Sequence, residues 1–290
     1  MKTYRYYIII IISIFIFSLW GIISNIFNYP VFELLFIIHS AGILVGLIHT
    51  VPYKNKRKLL FKISKTTIFI SITLISDIFF LILAYRTINI ATAITLHYLA
   101  PLLIPILAIL FLKEKINLKK YIPISLLGFA GTLLISIKNI TINPLGIFYG
   151  IMSGITLALI IVLQKKNTKN NDISILVFQY SLIQAITDLI LGLIFNQIHL
   201  NFTIGFLYLF LLGLLIRHGT LLYNYALKHT EISVASILAY LEVALSIAYG
   251  YIIFKQKITY LEIIGIILIM ISGILIINKK VDQEEITENI

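Results

Sequence analysis

The chain has 290 residues, 60% hydrophobic and 12% charged, with a net charge of +11 and no cysteine. Soluble domains are about 45–50% apolar and about 25% charged, so this many apolar side chains cannot be hidden in a water-soluble core. A bilayer span takes roughly 20 apolar residues, so ten spans use about 200 and leave no room for a soluble catalytic domain. The missing cysteines exclude disulfide frameworks, thiol catalysis and cysteine metal sites.

Apolar runs and their breakers predict ten membrane helices, over about 7–27, 32–51, 67–85, 90–112, 121–137, 145–163, 173–195, 204–227, 232–254 and 261–277. Asn28-Tyr29-Pro30, Val51-Pro52, Asn143-Pro144 and the polar stretch Lys165 to Asp172 mark interruptions. The gaps at 86–89 and 228–231 suit tight antiparallel hairpins. The basic start (Lys2, Arg5) resembles a signal peptide, but its apolar run is too long and lacks a small-x-small cleavage site, so it counts as the first span. The stretch from Tyr53 to Lys65 reads as a topology determinant or an amphipathic segment on the membrane surface. The tail 278–290 reads as a short solvated cytoplasmic end.

Alternating the loops puts 18 Lys and Arg on the side of both termini and 4 on the other, with Arg217 inside a helix. That asymmetry predicts ten spans with N- and C-termini cytoplasmic, in the cell membrane. It also explains the net charge through basic loops facing an anionic leaflet, so no nucleic-acid partner is expected.

An internal repeat runs at an offset of 142 residues: 16 of the 52 positions from 84 to 135 are identical to their mates without a gap. Ala84-Tyr85-Arg86-Thr87-Ile88-Asn89-Ile90-Ala91-Thr92-Ala93 lies over Ala226 to Ala235, Tyr98-Leu99 over Tyr240-Leu241, Lys113-x-Lys115-Ile116 over Lys255-x-Lys257-Ile258, and Gly131 over Gly273. Each repeat holds five spans (7–137 and 145–277), and an odd number inserts the second copy upside down. The fold expected is therefore an all-α integral membrane protein of two inverted five-helix repeats, an architecture that places a ligand near the midplane.

Charges within the spans are costly unless paired or hydrated, so they mark candidate function. Arg217 and His218 in the eighth span correspond in depth to Ser76 and Asp77 in the third; Glu242 is central in the ninth, and its mate Ala100 follows His97 by three residues. Ala235, Ala239, Glu242, Ser246 and Tyr249 form one small-and-polar stripe. Gly213, Arg217, Thr220 and Asn224 form a second, and Ala93, His97, Ala100 and Ile104 a third. Tyr98 and Tyr240 are repeat mates beside this level. The substrate-binding set is thus Arg217, Asp77, Glu242, His97, His218, Tyr98, Tyr240 and Asn224. Arg217 suits a substrate carboxylate. Asp77 or Glu242 suits an amino group or a coupling proton. The structural alternative is that Arg217 pairs with Asp77 or Glu242 to tie helices together. His39 and His49 read as structural or interfacial, Asp188 as paired with a partner not evident from sequence, and Trp20 as an anchor.

These residues together resemble the drug/metabolite transporter superfamily, specifically ten-helix carriers of two EamA-type repeats. The resemblance rests on Trp20-Gly21 in the first span, the hairpin Ala84 to Ala93, Pro101 and Glu114 within and after the fourth span, and Gly128 and Gly131 in the fifth. Two features depart from the family's pattern in the second repeat: Glu242 is followed by Val243 rather than proline, and Gln256 replaces the acid at the helix end. The resemblance implies export or uptake of small metabolites, often amino acids.

The leading expectation is a secondary carrier of a small polar or zwitterionic metabolite, acting as a monomer or homodimer by rocking of its two halves. The alternatives are a flippase or exporter of amphipathic or lipid-linked substrates and, remotely, an intramembrane enzyme. No His-Glu-x-x-His spacing and no Walker-type glycine loop is present, so neither metalloprotease chemistry nor ATP hydrolysis is expected. No cofactor or metal is expected.

Overall fold

A computed structural model describes residues 2–20, 26–27, 29–137 and 143–288. Gly21 of the Trp20-Gly21 pair and Lys138 of the loop count lie outside them. The described residues form thirteen helices: α1 Lys2–Phe17, α2 Val31–Thr50, α3 Lys54–Arg57, α4 Lys65–Thr87, α5 Ile90–His97, α6 Ala100–Leu112, α7 Leu118–Ser136, α8 Pro144–Asn170, α9 Ile173–Ile194, α10 Ile204–His229, α11 Ile232–Leu238, α12 Leu241–Phe254 and α13 Tyr260–Glu288. With α5–α6 and α11–α12 each taken as one span, nine are long and apolar enough to cross a bilayer; α1 is a shorter apolar helix.

Local chemistry sets the boundaries. Side-chain oxygens of Ser64, Asn89, Asn117, Asn143, Asp172 and Thr203 each accept a first-turn backbone N–H of the helix that follows. Three elements depart from expectation. Helix α8 runs through Lys165 to Asn170, because its polar residues find partners instead of ending the helix: Lys165 pairs with Glu114, and Asn167 donates to the Tyr180 hydroxyl at 2.8 Å. Helix α13 continues through the tail to Glu288. The loop after α2 forms the short α3, held because the Gln179 amide donates to the carbonyls of Leu59, Leu60 and Lys62.

The repeat is visible in the backbone. Shifting α2, α4, α5, α6 and α7 by 142 residues places them on α9, α10, α11, α12 and α13 to within a few residues at their starts. Both copies break their fourth span within one residue of the same place, at Tyr98-Leu99 and Ala239-Tyr240, through tight i→i−3 bonds such as Leu99 N–H to Leu96 C=O at 3.1 Å and Tyr240 N–H to Ile237 C=O at 3.2 Å. Both end it on a left-handed lysine, Lys113 (φ 56°) and Lys255 (φ 55°). These lysines and the residues after them return their N–H groups to Ala108 and Gly250, themselves repeat mates.

The most extensive packing joins one repeat to the other: α2 on α9, α4 on α8, α7 on α13 and α1 on α10. The repeats are interlocked rather than set side by side. Close approach at these seams depends on small residues; a Cβ at Gly46 would fall 2.6 Å from the Phe178 backbone, and one at Gly131 2.6 Å from the Gly265 carbonyl.

Loop contacts join only segments predicted to share a membrane side. On the basic side, Lys56 Nζ is 2.8 Å from Asp172 and Lys165 Nζ is 3.0 Å from Glu114. Burial alone would raise the Asp172 carboxyl, but Lys56 and the amides of Ser174 and Ile175 hold it below the usual carboxylate range. On the other side, Glu33 accepts from the Leu200 amide at 3.0 Å and Tyr29 meets Thr203 at 3.1 Å.

Candidate substrate site

The two broken spans bring their breaks together between the repeats. Pro101 has no N–H to offer the His97 carbonyl and Pro105 none for Pro101, so α6 starts afresh after Leu99. The freed Pro101 carbonyl is taken by the Tyr121 hydroxyl at 2.5 Å. The second copy has Val243 and Ile247 at the proline positions yet breaks all the same. There the fully buried Tyr240 occupies the space left by Gly128, where a Cβ would fall 2.5 Å from its ring. The rings of Tyr98 and Tyr240 lie 6.2 Å apart across this junction.

Around it stand two carboxylates from opposite repeats. Asp77, on α4, is 8% exposed and accepts from the Thr156 hydroxyl of α8 at 3.3 Å. His97, closing α5, has its Nδ1 3.7 Å from the same carboxyl oxygen and 3.0 Å from the Ser153 hydroxyl. Glu242 stands in the first turn of α12, where the helix dipole favours negative charge. Tyr98, Tyr85 and Tyr223 all lie in the field of its carboxylate; Tyr85 also lies in that of Asp77. The ring of His97 stands edge-on to Tyr98 at 5.6 Å. Two acids, one imidazole and a set of tyrosine hydroxyls thus share one neighbourhood. Such a group can receive an ammonium through charge-assisted bonds and aromatic faces, or exchange a proton.

Arg217 stands apart. It is 9% exposed, donates to the Gln184 side chain at 3.5 Å, and has an Nε without a partner. The carboxylate that acts on it is Asp188, paired in turn with His39 across α2 and α9. Its expected partners, Asp77 and Glu242, are not among the groups acting on it, so the tie between Arg217 and those acids is absent from the structure. The reason is its helix face: Gly213 on that face closes against Ile38 and Ala41 of α2, and Gly42 makes room for the Arg217 stem. His218 faces His49, with Nε2 atoms 3.4 Å apart. Asn224 is buried and donates to the Thr220 carbonyl at 2.9 Å.

Of the eight sequence candidates, the structure therefore brings together Asp77, His97, Tyr98, Tyr240 and Glu242 and turns Arg217 and His218 toward other partners, while Asn224 bonds within its own helix and leaves a buried Oδ1 without a partner. Sequence reading missed Ser153, Thr156, Tyr85 and Tyr223. The first two stand three residues apart on one face of α8, a spacing that was available. Nothing in sequence distinguishes Tyr85 and Tyr223 from the rest of the chain's 17 tyrosines.

Comparison with known proteins agrees with this architecture. A solved crystal structure, 17% identical in sequence, superposes with a TM-score of 0.83 over 93% of this chain and 96% of its own. No curated protein matches the chain. The family model described as the EamA-like transporter family matches twice, over residues 4–137 and 144–278, once for each inverted copy. The chain, with its two interlocked repeats of apolar helices, therefore belongs to the EamA-like transporter family, within the drug/metabolite transporters.

Proposed function

We propose that this membrane transporter is a secondary carrier of a small polar or zwitterionic metabolite, an amino acid or related compound, held by its amino group between Asp77 and Glu242. The observation that carries the reading is the convergence of these two carboxylates, one from each repeat, on a tyrosine-lined junction of broken helices. Alternating access follows from the inverted pseudo-symmetry: two conformations of one chain related by the pseudo-two-fold axis expose the same site to opposite sides. Because the repeats interlock, the motion is taken up at the breaks rather than by rocking of two intact five-helix halves. His97 beside Asp77 supplies a path for a coupling proton. Arg217 takes the carboxylate end of a zwitterion when α2 and α10 part. The excess of Lys and Arg on the side of both termini orients that side to the cytoplasm.

Uptake of labelled amino acids and simple amines into proteoliposomes tests this. A charge-assisted bond is worth about 1.5–3 kcal/mol, so Asp77→Asn and Glu242→Gln should each reduce uptake by about 10- to 100-fold. Arg217→Ala should impair carboxylate-bearing substrates and spare simple amines. Full activity in both acid variants, or no uptake across a broad amine panel, overturns the assignment.

A further inference from the structure

On the basic face an ion pair between buried Lys165 and half-buried Glu114 joins the two repeats, and among the described residues the pseudo-symmetric face has no ion pair. Lys165 is 4% exposed; its Nζ lies 3.0 Å from Glu114 Oε1 and donates to the Thr230 carbonyl at 2.5 Å. Glu114 follows the left-handed end of α6, Lys165 is near the end of α8, and Thr230 caps α10. These three helices also supply the substrate site: α6 starts at the first break, α8 carries Ser153 and Thr156, and α10 carries Tyr223. Lys165 is nine residues beyond Thr156, about 14 Å along the helix toward the basic side. One ammonium thus ties the ends of three site-bearing helices, and it crosses from the second repeat to the first.

Shifting by 142 residues replaces Glu114 with Gln256, Lys165 with Ile23 and Thr230 with Ile88, so the sequence provides no equivalent pair at the opposite face. Gln256 folds back on its own helix, its Oε1 only 2.7 Å from where a Cβ on Gly250 would stand. The pair is also held on one side only, since Glu114 Oε2 is buried without a partner. A fully satisfied pair would be a permanent tie. This one leaves an acceptor orphaned in the closed state that water would satisfy once the face opens. The nearby charges, Lys169 and Glu231, act on Lys165 in opposite directions.

We infer that Lys165 and Glu114 form a latch that holds the basic face closed and shifts the conformational equilibrium away from the state open on that side. The inference rests on the alternating-access reading above. Removing Glu114 strands the buried Lys165 ammonium and removing Lys165 leaves the half-buried Glu114 without its counter-charge, and in both cases opening to water relieves the charge.

The natural absence of cysteine makes the test direct. Ala235, fully buried on α11 five residues past Thr230, becomes a reporter as Ala235→Cys; Ser136→Cys, buried at the far end of α7, is the control. The rate of modification by a membrane-impermeant methanethiosulfonate reagent, applied from the basic side of oriented proteoliposomes, reads opening. Glu114→Gln and Lys165→Met should each raise the rate at Ala235→Cys about tenfold, a shift of one decade in population, and leave Ser136→Cys protected. The charge-reversed double variant E114K/K165E should restore most of the protection. Unchanged labelling in both single variants, or an equal rise at both reporters, overturns the latch. The readout needs no substrate, so failure of the amine assignment leaves this result interpretable.

Discussion

The two broken spans make an internal control, because one sequence position is compared with its mate in the same molecule. In the first copy, Pro101 and Pro105 remove backbone donors, and the Tyr121 hydroxyl restores one lost bond. In the second copy the prolines are absent and the mate of Tyr121 is Ile263, yet the break falls within one residue of the same place and the span ends on the same left-handed lysine. Proline is therefore not required for a break, although in the first copy it removes the donors that would span it. The copies then diverge in chemistry. The first contributes His97 and an alanine at position 100, the second Ala239 and Glu242.

The strongest way to break this comparison is to exchange that chemistry. Ala100 is fully buried in the core cluster that includes Ile10, Ile104 and Ala158, so Ala100→Glu should place an unpaired acid in an apolar core and cost more than about 3 kcal/mol, read as loss of folded protein in detergent. A stable Ala100→Glu would mean that the first copy has its own acid-accepting site. Gly154→Ala comes next. Its Cβ would meet the Leu96 carbonyl at 2.6 Å and that of His97 at 3.1 Å, backbone atoms that cannot swing away, so a loss of about 2–3 kcal/mol is expected in thermal unfolding.

Tyr121→Phe orphans the Pro101 carbonyl and should cost about 1–2 kcal/mol, whereas in a Pro105→Ala background the restored N–H should shrink that cost to about 0.5 kcal/mol. An unchanged cost in that background would sever the hydroxyl from the proline. The smallest effect sharpens the symmetry: Lys113→Gly and Lys255→Gly relieve the same backbone strain and should each stabilise by about 0.5–1 kcal/mol. A clear difference between the two melting-point shifts would show that the copies are strained unequally.

Much of this was readable before any coordinates. The spans follow from apolar runs and their breakers, and the pseudo-symmetry from a gap-free offset. The end of α8 was not readable, because hydropathy counts Lys165 and Asn167 as breakers while the fold supplies Glu114 and Tyr180. The site was half readable. Asp77, His97, Tyr98, Tyr240 and Glu242 stood out by depth, but depth along a helix says nothing of azimuth, and Arg217 at a similar level turns toward α2 and α9 instead. The break in the second copy was obscured because Glu242 lacks the following proline.

The interlocking of the repeats bears on how the chain is made. A ribosome adding about 5–20 residues per second delivers the first five helices roughly 7–30 seconds before the last of their binding surfaces exists. During that interval the seams at Gly46 and Gly131 face lipid or a chaperone, and the nascent half has no finished interior of its own. Degradation and insertion machinery therefore has its widest opportunity at mid-synthesis, and a truncated message should yield a product that is cleared rather than a half-size carrier.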